Sequence, residues 1–174
     1  MLKFFMTGGA AALLLATAPV AAADAKPNDA QIAHIAYTAG TLDVTAAKQA
    51  LAKSHNKAVR DFASEMVRDH EAVNDKALAL VKKLGVTPED NPMSAALKAG
   101  ADKKRDELTK LNGAAFDKAY VANEVTYHKT VNGALRDTLI PSAQNAELKA
   151  LLKTGLTLFS EHQAHAEHLA MQLK

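Results

Sequence analysis

The sequence predicts an all-α fold: a bundle of four long amphipathic helices, with a further helix crossing between the second and the third. Three observations carry this. Apolar residues return at three- and four-residue intervals over long windows, the period of helices with one buried face. Ala, Leu and Lys dominate, aromatics are few and Trp is absent, a composition that favours helix throughout. Cap and turn residues fall at only a few places, so the segments between them are long.

Residues 1–23 stand apart as a secretory signal peptide. Lys3 supplies a positive start, Phe4 to Val20 is an apolar run centred on Leu13-Leu14-Leu15, and Ala21-Ala22-Ala23 offers small residues for cleavage. The alternative, an uncleaved anchor, is disfavoured because the run is shorter than the ~20 apolar residues of a span. It also contains Gly8, Gly9 and Pro19. Residues 24–174 are then the bundle domain, expected to be periplasmic or secreted, with no transmembrane span in the mature chain. The chain has no cysteine, which excludes a disulfide framework. Its 21 basic and 19 acidic residues are interspersed, so nucleic acid is not an expected partner.

The first helix starts near Asp29, where Asn28 and Gln31 form a capping box. Its stripe is Ile32, Ile35, Ala39, Leu42, Ala46 and Ala50, with His34 and the threonines opposite and Asp43 at the stripe's edge. Gly40 weakens this helix or permits a close approach. Ser54 caps the second helix, which Gly85 ends. That helix carries the clearest stripe in the chain, Val59, Phe62, Ala63, Met66, Val73, Ala77, Leu80, Val81 and Leu84. His70 points along the middle of it, while Asp69 and Glu71 point away. The short link makes the first two helices an antiparallel hairpin.

A loop at 86–92 leads to a lysine-rich helix over 93–111, ended by Asn112-Gly113. The third long helix runs from about Ala115 to Ile140, where Pro141 stops it. Glu124 lies near the middle of its stripe, with His128 one turn on. Asn145 caps the fourth, whose stripe includes His162. Two hairpins joined by a long crossover are the ferritin-like arrangement; a plain up-down bundle with 93–111 as a fifth member is the alternative.

The polar residues on these stripes fall at one level. His70, Glu124, His128 and Asp43 lie near helix midpoints and His162 a few residues beyond, so the offsets are about a turn or less. Two readings follow. His70, Glu124, His128 and His162, with Asp43, could hold a transition metal such as Zn, Cu, Fe or Mn. Alternatively, Glu124 accepts hydrogen bonds from the histidines in a network that only fixes register. The Glu-x-x-His pattern of di-iron carboxylate bundles is absent: Glu65, Glu124 and Glu161 are followed at the third place by Arg68, Tyr127 and Ala164. His162, His165 and His168 rotate away from one another, so they form no surface site, and His165 is expected to pair with Glu161. No catalytic triad order or phosphate-binding loop is visible, so no enzymatic role is assigned.

Phe62-Ala63-x-x-Met66-Val67-x-Asp69-His70, Phe116-Asp117-x-x-Tyr120 with His128 beyond, and Glu161-His162 resemble one bacterial family. It is the exported domain-of-unknown-function family four-one-four-two, often labelled an outer membrane protein and grouped with ferritin-like folds. The resemblance covers the chain from about Asp29 onward. It implies a ferritin-like bundle in the periplasm or peripheral at the outer membrane, without an established activity. It carries family histidines onto His70, His128 and His162, and sets Asp43 where members commonly have Glu. An envelope protein or a second copy of the chain, meeting the 93–111 helix, is the expected partner if the polar layer is only structural.

Overall fold

The computed structural model describes residues 26–173, all of whose regular elements are helical. The proposed signal peptide lies outside the described residues. Helix α1 spans Asp29–Lys53, α2 Lys57–Leu84, α3 Pro92–Thr109, α4 Gly113–Ala134 and α5 Ala146–Gln172. None is long and apolar enough to cross a membrane.

Local signals set the ends. The Asn28–Gln31 capping box starts α1, and Asn145 accepts from the Glu147 and Leu148 amides at the start of α5. The cap of α2 is Asn56, not Ser54: its side chain accepts from the Ala58 and Val59 amides. Ser54 instead closes α1, donating its amide to the Ala50 carbonyl. Gly85 takes the left-handed conformation, φ 64°, that ends α2.

Pro141 does not stop α4. Residues Leu135–Leu139 form a π-helical turn, in which the Ile140 amide donates to the Leu135 carbonyl, and a last turn runs Ile140–Ser142. In a regular helix, proline lacks a donor and its ring presses on the carbonyl four residues back. The wider π turn just ahead of Pro141 relieves that conflict, so the chain continues helically to Ser142.

Helices α1 and α2 pack as one hairpin and α4 and α5 as another; α2 also meets α5, and α1 meets α4. The chain ends of α1 and α5 and the chain starts of α2 and α4 share one end of the bundle, where Ala50, Val59, Phe116 and Leu169 join one core cluster. Every neighbouring pair is therefore antiparallel and the diagonals are parallel, the ferritin-like order. The crossover α3 lies over α1 and touches α4. Gln49 donates to the Arg105 carbonyl and Lys53 to that of Thr109. Leu108 is the one fully buried apolar residue of α3 among the described residues.

The core has two parts. Phe62, Met66, Phe116 and Tyr120 anchor the first; Ile32, Leu135, Leu139, Leu152 and Phe159 form the second, at the end that carries the 85–91 loop. The two ends are not packed alike. Fully buried residues of α2 stop at His70, although its apolar stripe continues to Leu84. Beyond that point the stripe borders a cavity of about 250 Å³, bounded by all five helices.

Candidate metal centre

The polar layer forms where the two core clusters meet. Asp43 comes from α1, His70 from α2, Glu124 and His128 from successive turns of α4, and His162 from α5; each is at most 3% exposed. The five residues singled out from sequence thus all reach the interior. Asp43 does more than skirt the edge of the stripe. Because α3 covers the flank of α1, the buried arc of α1 is wider than its apolar stripe, and Asp43 falls inside it. His34, expected opposite the stripe, is half-buried and faces Asp90 at 3.3 Å.

The contacts are those of converging ligands more than of a closed hydrogen-bond network. His70 Nε2 and His128 Nε2 each lie 3.6 Å from Asp43 Oδ2. That is beyond hydrogen-bond range. It matches the roughly 3.3–3.6 Å edge between donors held tetrahedrally at about 2.0–2.2 Å from one ion. The imidazole centroids of His70, His128 and His162 are 5.3–5.7 Å apart, so three rings face one another. Both nitrogens of His70, both carboxyl oxygens of Asp43, Glu124 Oε2, His128 Nε2 and His162 Nδ1 are buried without a hydrogen-bond partner. Such orphaned groups are rare in folded proteins unless something else satisfies them.

The surrounding shell selects which nitrogens stay free. His128 Nδ1 lies 3.0 Å from the Glu124 carbonyl oxygen. A carbonyl can only accept, so Nδ1 carries the proton and Nε2 presents its lone pair inward. His162 Nε2 donates to Asp69 Oδ2 at 3.0 Å, leaving Nδ1 as the inward lone pair. Asp69 is in turn held by Arg68 Nε and Nη2 at 2.7 and 3.0 Å. That guanidinium lowers the Asp69 pKa, with burial opposing and His162 assisting, and so keeps it a carboxylate. His70 is placed by stacking on Phe159, with centroids 4.5 Å apart and an 8° interplanar angle.

Asp69 is the functional residue that helix projection missed. It points away from the stripe of α2, yet the neighbouring helix α5 lies on that side. The available signal was its place beside His70 in the Met-Val-x-Asp-His stretch. The pairing expected between His165 and Glu161 is also replaced: His165 Nδ1 meets Glu65 Oε2 at 2.8 Å, across the α2–α5 interface.

Burial drives every group of the layer towards its neutral form. It pushes the Asp43 carboxyl up to about 7, with the neighbouring Glu124 carboxyl opposing the rise. Glu124 is raised well above the ordinary range by burial and then by the charge of Asp43. His70 is held well below 6.5, first by burial and then by His128 and His162; burial takes His128 down to about 4 and lowers His162 against the pull of Asp69. A divalent cation fits this set. It would displace the two carboxyl protons, balance both carboxylates and find the imidazoles already neutral. Three nitrogens and two carboxylates suit Zn, Cu, Fe or Mn better than the oxygen-seeking Mg or Ca.

The layer also has a route to the surface. A cleft of about 400 Å³ between α1, α3 and α4 is lined by Asp43 and Glu124, and also by Lys104 and Arg105. Asn123 lies in the same wall and donates to Glu124 Oε1 at 3.4 Å.

No curated protein and no solved structure matches this chain. Residues 14–169 match a family model described as a Domain of unknown function (DUF4142). The match takes in α1 to α4 and α5 as far as Leu169, and with them all five residues of the layer and Asp69; the chain belongs to the DUF4142 family.

Proposed function

We propose that this protein is an exported helical bundle that binds one divalent transition-metal ion in its core. His70, His128 and His162 would be the primary ligands, with Asp43 and Glu124, which converge on His128 from its other side, completing the set. The single observation that supports this most is the pair of 3.6 Å separations from Asp43 Oδ2 to two imidazole Nε2 atoms, each of them buried without a hydrogen-bond partner. A purely structural network, with the protein acting as a non-catalytic envelope interaction protein, would place these atoms within bonding range of one another, and that weighs against it. Export rests on the apolar run and small residues of positions 1–23. A metal-binding or stress-related role in the periplasm follows from the two together; no reaction is proposed.

The test is metal analysis of tag-free protein after dialysis against Zn, Cu, Fe and Mn. One tightly held ion per chain is expected, lost in His128→Ala and in His70→Ala. Cobalt substitution should give visible absorption bands from a nitrogen- and oxygen-ligated site. Protein that retains no ion, and whose thermal stability none of these metals changes, would return the layer to a structural role.

A further inference from the structure

We propose that the cavity beneath the polar layer is a binding site for a small, uncharged, apolar molecule about the size of a one- or two-ring aromatic compound. The chamber is cut into the bundle and opens to solvent beside the exposed Met93 and Thr130, and all five helices contribute to its wall. Its volume, about 250 Å³, exceeds the ~150 Å³ of engineered apolar cavities that stay dry and take up benzene. Native interiors contain few voids larger than a water molecule, so an apolar chamber of this size stands out.

The lining specifies the ligand's chemistry. No charged residue borders the chamber, and only Asn74 and Thr130 are polar. Both are engaged elsewhere: the Thr130 hydroxyl donates to the Thr126 carbonyl, and the Asn74 amide to Thr41 Oγ1. With so few polar groups on the wall, water finds few of the two to four partners it needs, and a charged or strongly polar ligand would be stranded. An apolar molecule loses nothing and buries its surface.

Two further observations concern the same chamber. The π turn of α4 supplies Leu135 and Leu139 to its wall, and π turns recur at functional positions of helices. The half of α2 beyond His70 keeps a continuous apolar stripe where it has no fully buried residue, which is what a wall facing a guest requires. The chamber and the cleft under α3 share Met93, Leu97 and Thr130, so the start of α3 separates the two and marks a way in. Phe159 forms part of the wall and stacks on His70, which sets the guest one ring away from the polar layer.

Indole is a suitable probe, because the chain contains no tryptophan and indole emission is therefore free of protein background. The experiment titrates indole into the full mature chain in the presence of a chelator, following its emission and the protein's Tm. A saturable blue shift with one site per chain, and a Tm that rises with indole concentration, are expected. Ala36→Phe places a ring in the chamber; it should weaken indole binding at least tenfold while holding or raising the Tm of the free protein. Ala77→Leu, a smaller filling, should weaken it less. Circular dichroism checks that both variants are folded. Absence of any shift at millimolar indole overturns the proposal, as does binding that the folded filling variants leave unchanged. Because metal is removed throughout, neither outcome depends on whether the layer holds an ion.

Discussion

Asp43 links the pH dependence of this protein to its proposed ligand set. Its carboxyl is raised from 3.8 to about 7 by burial. The folded state therefore holds this proton more tightly than the unfolded chain does. The contribution is fully present below pH 3.8 and is lost as pH rises through 7, with a ceiling of about 4 kcal/mol. The layer histidines act in the opposite sense. Their pKa values fall below 6.5 on folding, so their contribution is present above 6.5 and lost as pH falls through the lowered values, about 4 for His128. Comparing variants isolates the Asp43 part. In metal-free protein, Asp43→Asn should raise Tm relative to the parent at pH 8, and the difference should shrink to near zero by pH 5. The same substitution should weaken metal binding at least tenfold. If Asn also lowers Tm at pH 8, a buried Asp43 charge is not what destabilises the metal-free fold. Asp69 offers a second test at this scale. It orients His162 from outside the ligand set, and losing such a partner typically costs 10- to 100-fold in metal affinity. Calorimetry of Asp69→Ala should show a drop in that range with the stoichiometry kept. Neither the reach of Asp43 into the core nor the part played by Asp69 could be read from single-helix projections. Both depend on which neighbouring helix covers a flank, and a projection contains no neighbours.

Helix ends were more legible than helix faces, since caps are local chemistry. Asn28, Gly85 and Asn145 were each identifiable from residue type and spacing, and each sits where that chemistry requires. Ser54 and Asn56 show the limit: both are good caps two residues apart, and the choice depends on where α1 ends. Pro141 shows another, because a π turn reconciles it with a continuing helix and leaves no trace in the apolar period. One element-scale contact joins the two hairpins. The carboxylate of Asp29, in the first turn of α1, accepts the Gln144 and Asn145 amides at 2.8 Å each, fastening the link between α4 and α5. Hydrogen bonds to a charged group are worth about 1.5–3 kcal/mol each when buried, and less at a half-exposed site such as this. Asp29→Ala should cost about 1–2 kcal/mol in urea unfolding, with an unchanged m-value. Asp29→Asn, which keeps at most one acceptor oxygen, should fall between it and the parent.

At the scale of the whole molecule, four long stripes pointed to a helical bundle and one long connection favoured the ferritin-like order over a plain up-down bundle. The loose packing at one end was not legible, because an apolar side chain facing a cavity has the same sequence signature as one facing a packed core. The polar layer is where the two unequal ends are joined. Its ligand candidates come from α1, α2, α4 and α5, so one ion would tie together all four long helices, including both hairpins. An ion that binds only the folded chain adds stability by mass action, about 2.7 kcal/mol at a hundredfold excess over Kd. For a domain of this size each kcal/mol moves Tm by about 2–4 °C, so loading should raise Tm by about 5–10 °C. The rise should grow with the logarithm of free metal and reverse on adding chelator. It should also collapse below about pH 6, where protons compete for the raised carboxyls of Asp43 and Glu124. Unfolding should remain one transition in both states, since the ion connects every long helix. A metal-dependent shift confined to one of two separated transitions would instead place the ion on a single hairpin, and would remove Asp43 or His162 from the ligand set.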